Sequence, residues 1–290
     1  MNETLHSCLI AGEQAGSRLV LAPPRGSPVG AGGLHLSNLA GSSIEFRDHR
    51  EYQPGDDIRR IDWNAYGRSD RLIVKVFREE VSPHVDIILD GSRSMALENT
   101  AKFEAAVGLA ALFASAASNA RFSHTAWLAS ESCRRIEGGS GRPGIWQGIA
   151  FDYPGNIADS LVRTRPGWRR QGIRVLISDL LWLGSPLLSL QSLSRDASAV
   201  FVIQILADDD INPPAQGNQR LVDSETGQTR ELFIDAAARA RYSNALERHQ
   251  QNWRLACQQA GASMTVVTAE ALVADWNPTE LIAAQILALA

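Results

Sequence analysis

One short loop carries the most chemistry in this sequence. Asp90-Gly91-Ser92-Arg93-Ser94-Met95 follows directly on Val85-Asp86-Ile87-Ile88-Leu89, a mostly apolar, β-branched run. Such a run reads as a strand buried on both faces, which puts the loop at its carboxyl end. Asp90, Ser92 and Ser94 alternate, so two hydroxyls can turn toward the point that the carboxylate addresses, while Gly91 permits a tight bend. A hard cation such as Mg²⁺ takes an octahedron of oxygen ligands at about 2.0–2.1 Å and retains waters readily. One carboxylate and two hydroxyls fill that shell only in part. Hydroxyls bring no formal charge, so the cation stays electrophilic and keeps room for a carboxylate from outside, which favours binding over hydrolysis. The plainer reading makes Asp90 and Ser92 helix N-caps. The D-x-S-x-S spacing directly after a strand, and a second strand-end acid at Asp179 after Ile173-Arg174-Val175-Leu176-Ile177-Ser178, favour the cation.

For Asp90 and Asp179 to meet, their strands must be neighbours where the strand order of a parallel sheet reverses, the place where ligands gather in open α/β sheets. The periodicity supports such a sheet. Residues 102–119 repeat apolar side chains at helical spacing. Residues 124–129 and 134–137 form a short hairpin around Ser130-Glu131-Ser132. A helix over 185–195, a strand over 200–206, a long helix over 236–259 stopped by Gly261 and a strand over 264–267 come next. Asn277-Pro278 starts a last helix that runs to the end. A hairpin over 221–234, turning at Gly227, interrupts the alternation. The fold class is therefore α/β, a doubly wound, mostly parallel Rossmann-type sheet with an N-terminal appendage. Residues 1–44 read as an irregular segment, rich in Gly and Pro from 22 to 41; residues 45–83 form a charged segment, and 84–290 the main domain. Residues 45–80 hold eight basic and nine acidic side chains, a balance that suggests a salt-bridged surface.

Two motifs carry a resemblance. The strand-D-x-S-x-S arrangement resembles the metal-ion-dependent adhesion site of von Willebrand factor type A domains, whose sheet is of the same doubly wound kind. The block Tyr52-Gln53-Pro54-Gly55-Asp56-Asp57-Ile58-Arg59-Arg60-Ile61-Asp62-Trp63, followed by Leu72-Ile73-Val74-Lys75 and Phe77-Arg78-Glu79-Glu80, is similar to the signature of the bacterial domain of unknown function 58 family. The likeness runs from about Phe46 to the C-terminus, and the Asp223-to-Gly227 turn fits it. The resemblance implies a von Willebrand A-like domain and a non-enzymatic adaptor role. It also implies partnership with a MoxR-type AAA+ ATPase, a client protein, or both, in chaperone-like assembly or metal insertion. The adhesion site normally takes a threonine from a later loop; here that loop reads Gly138-Gly139-Ser140-Gly141-Arg142, so Ser140 is the candidate substitute. The expected metal shell is Asp90, Ser92, Ser94, Asp179 and Ser140, holding Mg²⁺ or another divalent cation. In the signature block Pro54-Gly55 forms a turn, and Asp56 and Asp57 cap the turn after it. Arg59 or Arg60 pairs with Asp62 or with a carboxylate of the main domain, and Trp63 is an apolar anchor; the block serves to attach the segment or to touch a partner.

Other chemistries lack their residues. The two lysines, Lys75 and Lys102, do not follow a glycine, so there is no phosphate loop. Cys8, Cys133 and Cys257 form no C-x-x-C pair. A haloacid dehalogenase-like phosphatase needs an acid where Ser92 stands; no G-x-S-x-G elbow and no H-E-x-x-H pair is present. A magnesium-dependent hydrolase using the same aspartates remains the competing class. Nucleic-acid binding through Arg163, Arg165, Arg169, Arg170 and Arg174 around Trp168 is a weaker one, since a net charge of −4 offers phosphate no global attraction. Asp208-Asp209-Asp210 reads first as a strand exit. The N-terminus has no signal-peptide pattern and the apolar run over 105–120 is too short to span a bilayer, so a cytoplasmic location is expected.

Overall fold

A computed structural model describes residues 2–22, 36–40, 46–54, 56–80, 83–163, 166–182, 184–212, 216–224 and 227–290. They fall into two compact units, one made of Met1–Pro23 with His84–Ala290 and the other of Pro24–Pro83. The larger unit begins with helix α1 (Asn2–Gly16) and strand β1 (Leu19–Leu21). The smaller holds β2 (Leu36–Ala40), β3 (Phe46–Glu51), helix α2 (Trp63–Ser69) and β4 (Ile73–Glu80), its strands antiparallel in the order β2-β4-β3.

The larger unit resumes with β5 (His84–Asp90), α3 (Lys102–Asn119), β6 (Ser123–Ala129), β7 (Cys133–Arg135), α4 (Ala158–Arg163) and β8 (Ile173–Ser178). It continues through α5 (Pro186–Ser194), β9 (Ala199–Leu206), α6 (Asp208–Ile211), β10 (Gly217–Val222) and β11 (Thr229–Ile234). Helix α7 (Ala236–Ala260), β12 (Ser263–Thr268), α8 (Ala269–Asp275), α9 (Thr279–Ala283) and β13 (Leu287–Leu289) complete it.

Six strands form one sheet in the order β12-β9-β8-β5-β6-β7, parallel throughout except for β7, which returns from β6 as the expected hairpin. From β5 the chain moves outward to β6; from β8 it moves the other way, to β9 and β12. The order therefore reverses between β5 and β8, as a doubly wound sheet requires. Both faces are covered. Val85, Ile87 and Leu89 pack with α1, α3 and α8, whereas Ile88, Leu176 and Val202 pack with α4, α5 and α7. That two-sided burial explains why the central strands are near-continuous apolar runs.

The N-terminus departs from the irregular segment expected over residues 1–44. Helix α1 lies on α3, with Cys8 and Leu9 in the core. Gly12 and Gly16 are contact points on α3: a Cβ on Gly12 would stand 1.9 Å from the Gly108 carbonyl oxygen. The C-terminus departs too. The last helix ends at Ala283, and Leu287–Leu289 pair antiparallel with β1, so the two ends of the chain close a small ladder. Among the described residues no helix is long and apolar enough to cross a membrane.

Candidate metal centre at the sheet reversal

Register brings the two strand ends together. Leu89 pairs with Ile177 across β5 and β8, so Asp90 and Ser178 stand one step further on, and the Ser178 hydroxyl donates to Asp90 Oδ2 at 2.6 Å. The loop after Asp90 is fixed from two sides. The Gly91 amide donates to the Ala129 carbonyl at 2.7 Å, an approach that a Cβ would obstruct at 2.9 Å from the same oxygen. Backbone bonds from Tyr153 to Gly91 and from Arg93 to Tyr153 hold the other side. The Ser92 amide donates to Asp90 Oδ1 at 2.9 Å, and the Ser92 and Ser94 hydroxyls lie 3.1 Å apart. Asp90, Ser92 and Ser94 thus face one cleft of about 560 Å³, which Asn156, Asp179, Trp182 and Asp210 also line.

Asp90 is fully buried. Burial first, and the nearby Asp179 carboxylate second, push its carboxyl up to about 7, against the opposing hydrogen bonds from Ser178 and Ser92. An acid in that position is poised to be ionised by a cation. Its Oδ1 accepts from the Ser92 amide and its Oδ2 from the Ser178 hydroxyl.

Asp179 stands in a different state. Its Oδ1 accepts from the Leu181 amide at 3.0 Å, and its Oδ2 from Lys102 Nζ at 2.8 Å. Lys102 Nζ also meets Asp210 Oδ2 at 3.1 Å. This lysine is 0% exposed. Burial opposes its charge, but Asp179 and then Asp210 outweigh it and hold its pKa above the ordinary value. The chain's own ammonium therefore occupies the face of Asp179 expected to meet a metal. The residues present fit a divalent cation on the Asp90, Ser92 and Ser94 side, and Asp179 is left a contribution from beyond the first layer. Among the described residues no group of three or more His, Cys, Asp or Glu side chains could hold a metal.

Ser140 lies elsewhere. Its hydroxyl is 3.1 Å from that of Thr125, whose register partner is Asp86, four residues back along β5 from Asp90. Its loop follows β7 alongside the middle of β6, so Ser140 does not reach the site. The cleft wall at that side is Gly155-Asn156-Ile157 instead, with Asn156 Oδ1 accepting from Ala158 N at the start of α4.

The arginine loop resolves into internal contacts at two of its five positions. Arg174 is buried; its Nη1 donates to the Leu193 and Arg195 carbonyls at the end of α5, and its guanidinium lies over the Trp168 ring. Arg163 pairs with Asp159, and Arg165 lies outside the described residues. The three cysteines are buried free thiols, which burial pushes up to about 11 for Cys8 and about 12 for Cys133 and Cys257. None is an activated nucleophile.

In the smaller unit the signature residues form a local network that differs from the expected pairing. Asp56 accepts two bonds from Arg50, at 2.8 and 2.5 Å, and one from the Gln53 amide, rather than capping. Asp57 does cap, accepting from Arg59 N. Asp62 is the N-cap of α2, accepting from the Asn64 and Ala65 amides, and also meets His49 and Lys75 rather than Arg59. The Ala65 amide first, then His49, hold it down at about 2. Trp63 is 63% exposed, edge-on to Tyr66, and so is not an anchor within its unit. Tyr52 joins the sheet through its amide, bonded to the Leu72 carbonyl. Gly55 and the Arg60 side chain lie outside the described part of the chain.

The model of the family described as "Protein of unknown function DUF58" matches residues 48–252. The chain belongs to that family. Its members are von Willebrand A-like proteins often linked to MoxR-type ATPases. Together with the six-stranded sheet, membership supports a general protein-interaction module. Among curated relatives, "Uncharacterized protein Rv1480" of Mycobacterium tuberculosis is 27% identical over 250 residues, covering 80% of this chain and 77% of the relative. "Uncharacterized protein MAV169" of Mycobacterium avium is 32% identical over 124 residues, covering 42% and 70%. Similar solved structures include BatB from Bacteroides thetaiotaomicron (10% identity, 67% of this chain and 97% of that one, TM-score 0.31). An aerotolerance-related membrane protein from Bacteroides fragilis is also similar (15%, 69% and 99%, TM-score 0.34). The fold assignment stands on this chain's own strand order.

Proposed function

We propose that this family member is a non-enzymatic adaptor that grips a carboxylate of a partner protein through a divalent cation, Mg²⁺ in the simplest case, at Asp90, Ser92 and Ser94. The observation that carries the reading is the convergence of one buried carboxyl and two hydroxyls on an open cleft at the reversal of the sheet. When bound, the cation would supply a hard electrophilic centre with a vacancy for an anionic oxygen. The chain's own part is to hold that oxygen set rigid: Ser178 and the Ser92 amide orient Asp90, and Tyr153 fixes the loop. The partner that family kinship favours is a MoxR-type AAA+ ATPase or its client.

The test is association of the purified chain with such an ATPase in magnesium and in EDTA, for the wild type and Asp90→Ala. The reading expects binding that EDTA weakens and that Asp90→Ala weakens in magnesium, with the variant still folded. Equal affinity in all four conditions overturns it. A hydrolase reading draws on the buried Asp90 carboxyl opening on the cleft, whose burial raises its pKa toward the range where a general acid or base works. Turnover of generic phosphate esters with magnesium, abolished by Asp90→Asn, would favour it over the adaptor.

A further inference from the structure

Lys102 has no place in the oxygen set of Asp90, Ser92 and Ser94, yet it is fully buried and lines the same cleft. It is one of only two lysines in a chain that otherwise uses arginine for its basic residues. It is also the first residue of α3, where a positive charge opposes the helix macrodipole, so helix stability is no reason for it. A compact ammonium, unlike a planar guanidinium, can act as a point charge between two carboxylates. That is how it sits, 2.8 Å from Asp179 and 3.1 Å from Asp210.

We propose that Lys102 is a resident cation that takes the place of metal on Asp179 and Asp210, confines any divalent ion to the Asp90, Ser92 and Ser94 side, and keeps its affinity low. This rests on the reading of the cleft as a cation site. The charge count supports it. The cleft is lined by four carboxylates, Asp90, Asp179, Asp210 and Asp223, against Lys102 alone, so the lysine removes one unit of the negative formal charge that an incoming ion would meet and pairs directly with two of the four. Without the lysine the cleft is one unit more negative, the ion is held more tightly, and the loaded site is less receptive to an anion. Ligand charge, with site rigidity, tunes the affinity of hard-cation sites.

The experiment titrates Mn²⁺ alone into metal-free protein and counts free ion by electron paramagnetic resonance. It uses the wild type, Lys102→Met, Asp90→Asn and the charge-balanced double variant Lys102→Met/Asp210→Asn. The expectation is one weak Mn²⁺ in the wild type, lost in Asp90→Asn, tightening of about tenfold or more in Lys102→Met, and a smaller tightening in the double variant, which gains the freed Asp179 at unchanged net charge. The double variant carries the test if the single one fails to fold, because it preserves the net charge of the cluster. Asp90-dependent binding that is unchanged or weaker in the lysine variants overturns the inference and leaves the cation site standing. No Mn²⁺ in the wild type with one gained by the lysine variants supports the inference and sinks the wild-type cation site. No binding in any protein overturns both.

Discussion

Replacing Lys102 with methionine perturbs the best-defined electrostatic cluster in the molecule, and its effect on stability is separable from any metal. The ammonium is 0% exposed and within hydrogen-bonding distance of two carboxylates, one of them, Asp179, itself 2% exposed. Removing one partner from a buried charge pair costs about 3–5 kcal/mol, because the uncompensated charge stays behind. For a unit of this size each kcal/mol moves the thermal midpoint by about 2–4 °C, so Lys102→Met should melt about 6–20 °C below the wild type. The assay is thermal unfolding in EDTA, followed by circular dichroism. Lys102→Met/Asp210→Asn should recover a substantial part of the loss, since only Asp179 is then left without its counter-charge and it keeps the Leu181 amide. A single variant within about 1 kcal/mol of the wild type would refute the claim that the cluster is a buried, mutually dependent set. So would a double variant less stable than the single one.

Three further outcomes are expected from other contacts. Asp90 holds its proton up to about pH 7 in the folded state and loses it near 3.8 when unfolded, so metal-free stability should fall as pH rises through that window and level off above it. The fall is on the order of 4 kcal/mol and should be absent in Asp90→Asn; denaturant titrations across the window measure it. Gly12→Ala drives a methyl into the Gly108 carbonyl, and the separation of α1 from α3 should cost about 1–3 kcal/mol or more in urea unfolding. Arg174→Met removes the charge that satisfies the last carbonyls of α5 and should cost about 2–3 kcal/mol, while leaving retention on DNA unchanged.

The sequence made the framework of the site legible and its electrostatics opaque. Both central strands are legible because burial on two faces leaves mostly apolar, β-branched-rich runs, broken only by Asp86 and Arg174, and a strand-end acid on each points Asp90 and Asp179 to one reversal. The D-x-S-x-S spacing makes the three candidate ligands legible because they lie within five residues. What failed depends on distant pairing. Lys102 opens a helix and gives no local hint of its partners, although being one of two lysines was a usable signal. Asp210 reads as a strand exit until β9 is set beside β8. Ser178 gains its role only from the register of β5 on β8. Ser140 was misplaced because its loop follows the short hairpin strand β7, which turns the chain back toward the middle of the sheet. Helix α1 was missed because Gly12 and Gly16 lower helix propensity locally, and only close packing on α3 repays them.

The oxygen set itself is tested most directly by anomalous diffraction from crystals of the wild-type protein soaked in Mn²⁺. The account predicts a single strong peak in the cleft within coordination distance, about 2.2 Å, of an Asp90 carboxylate oxygen and the Ser92 and Ser94 hydroxyls, with Lys102 still on Asp179. A cleft without a peak in crystals that carry manganese at other positions, or a peak coordinated by Asp179 and Asp210 with Lys102 displaced, would contradict it.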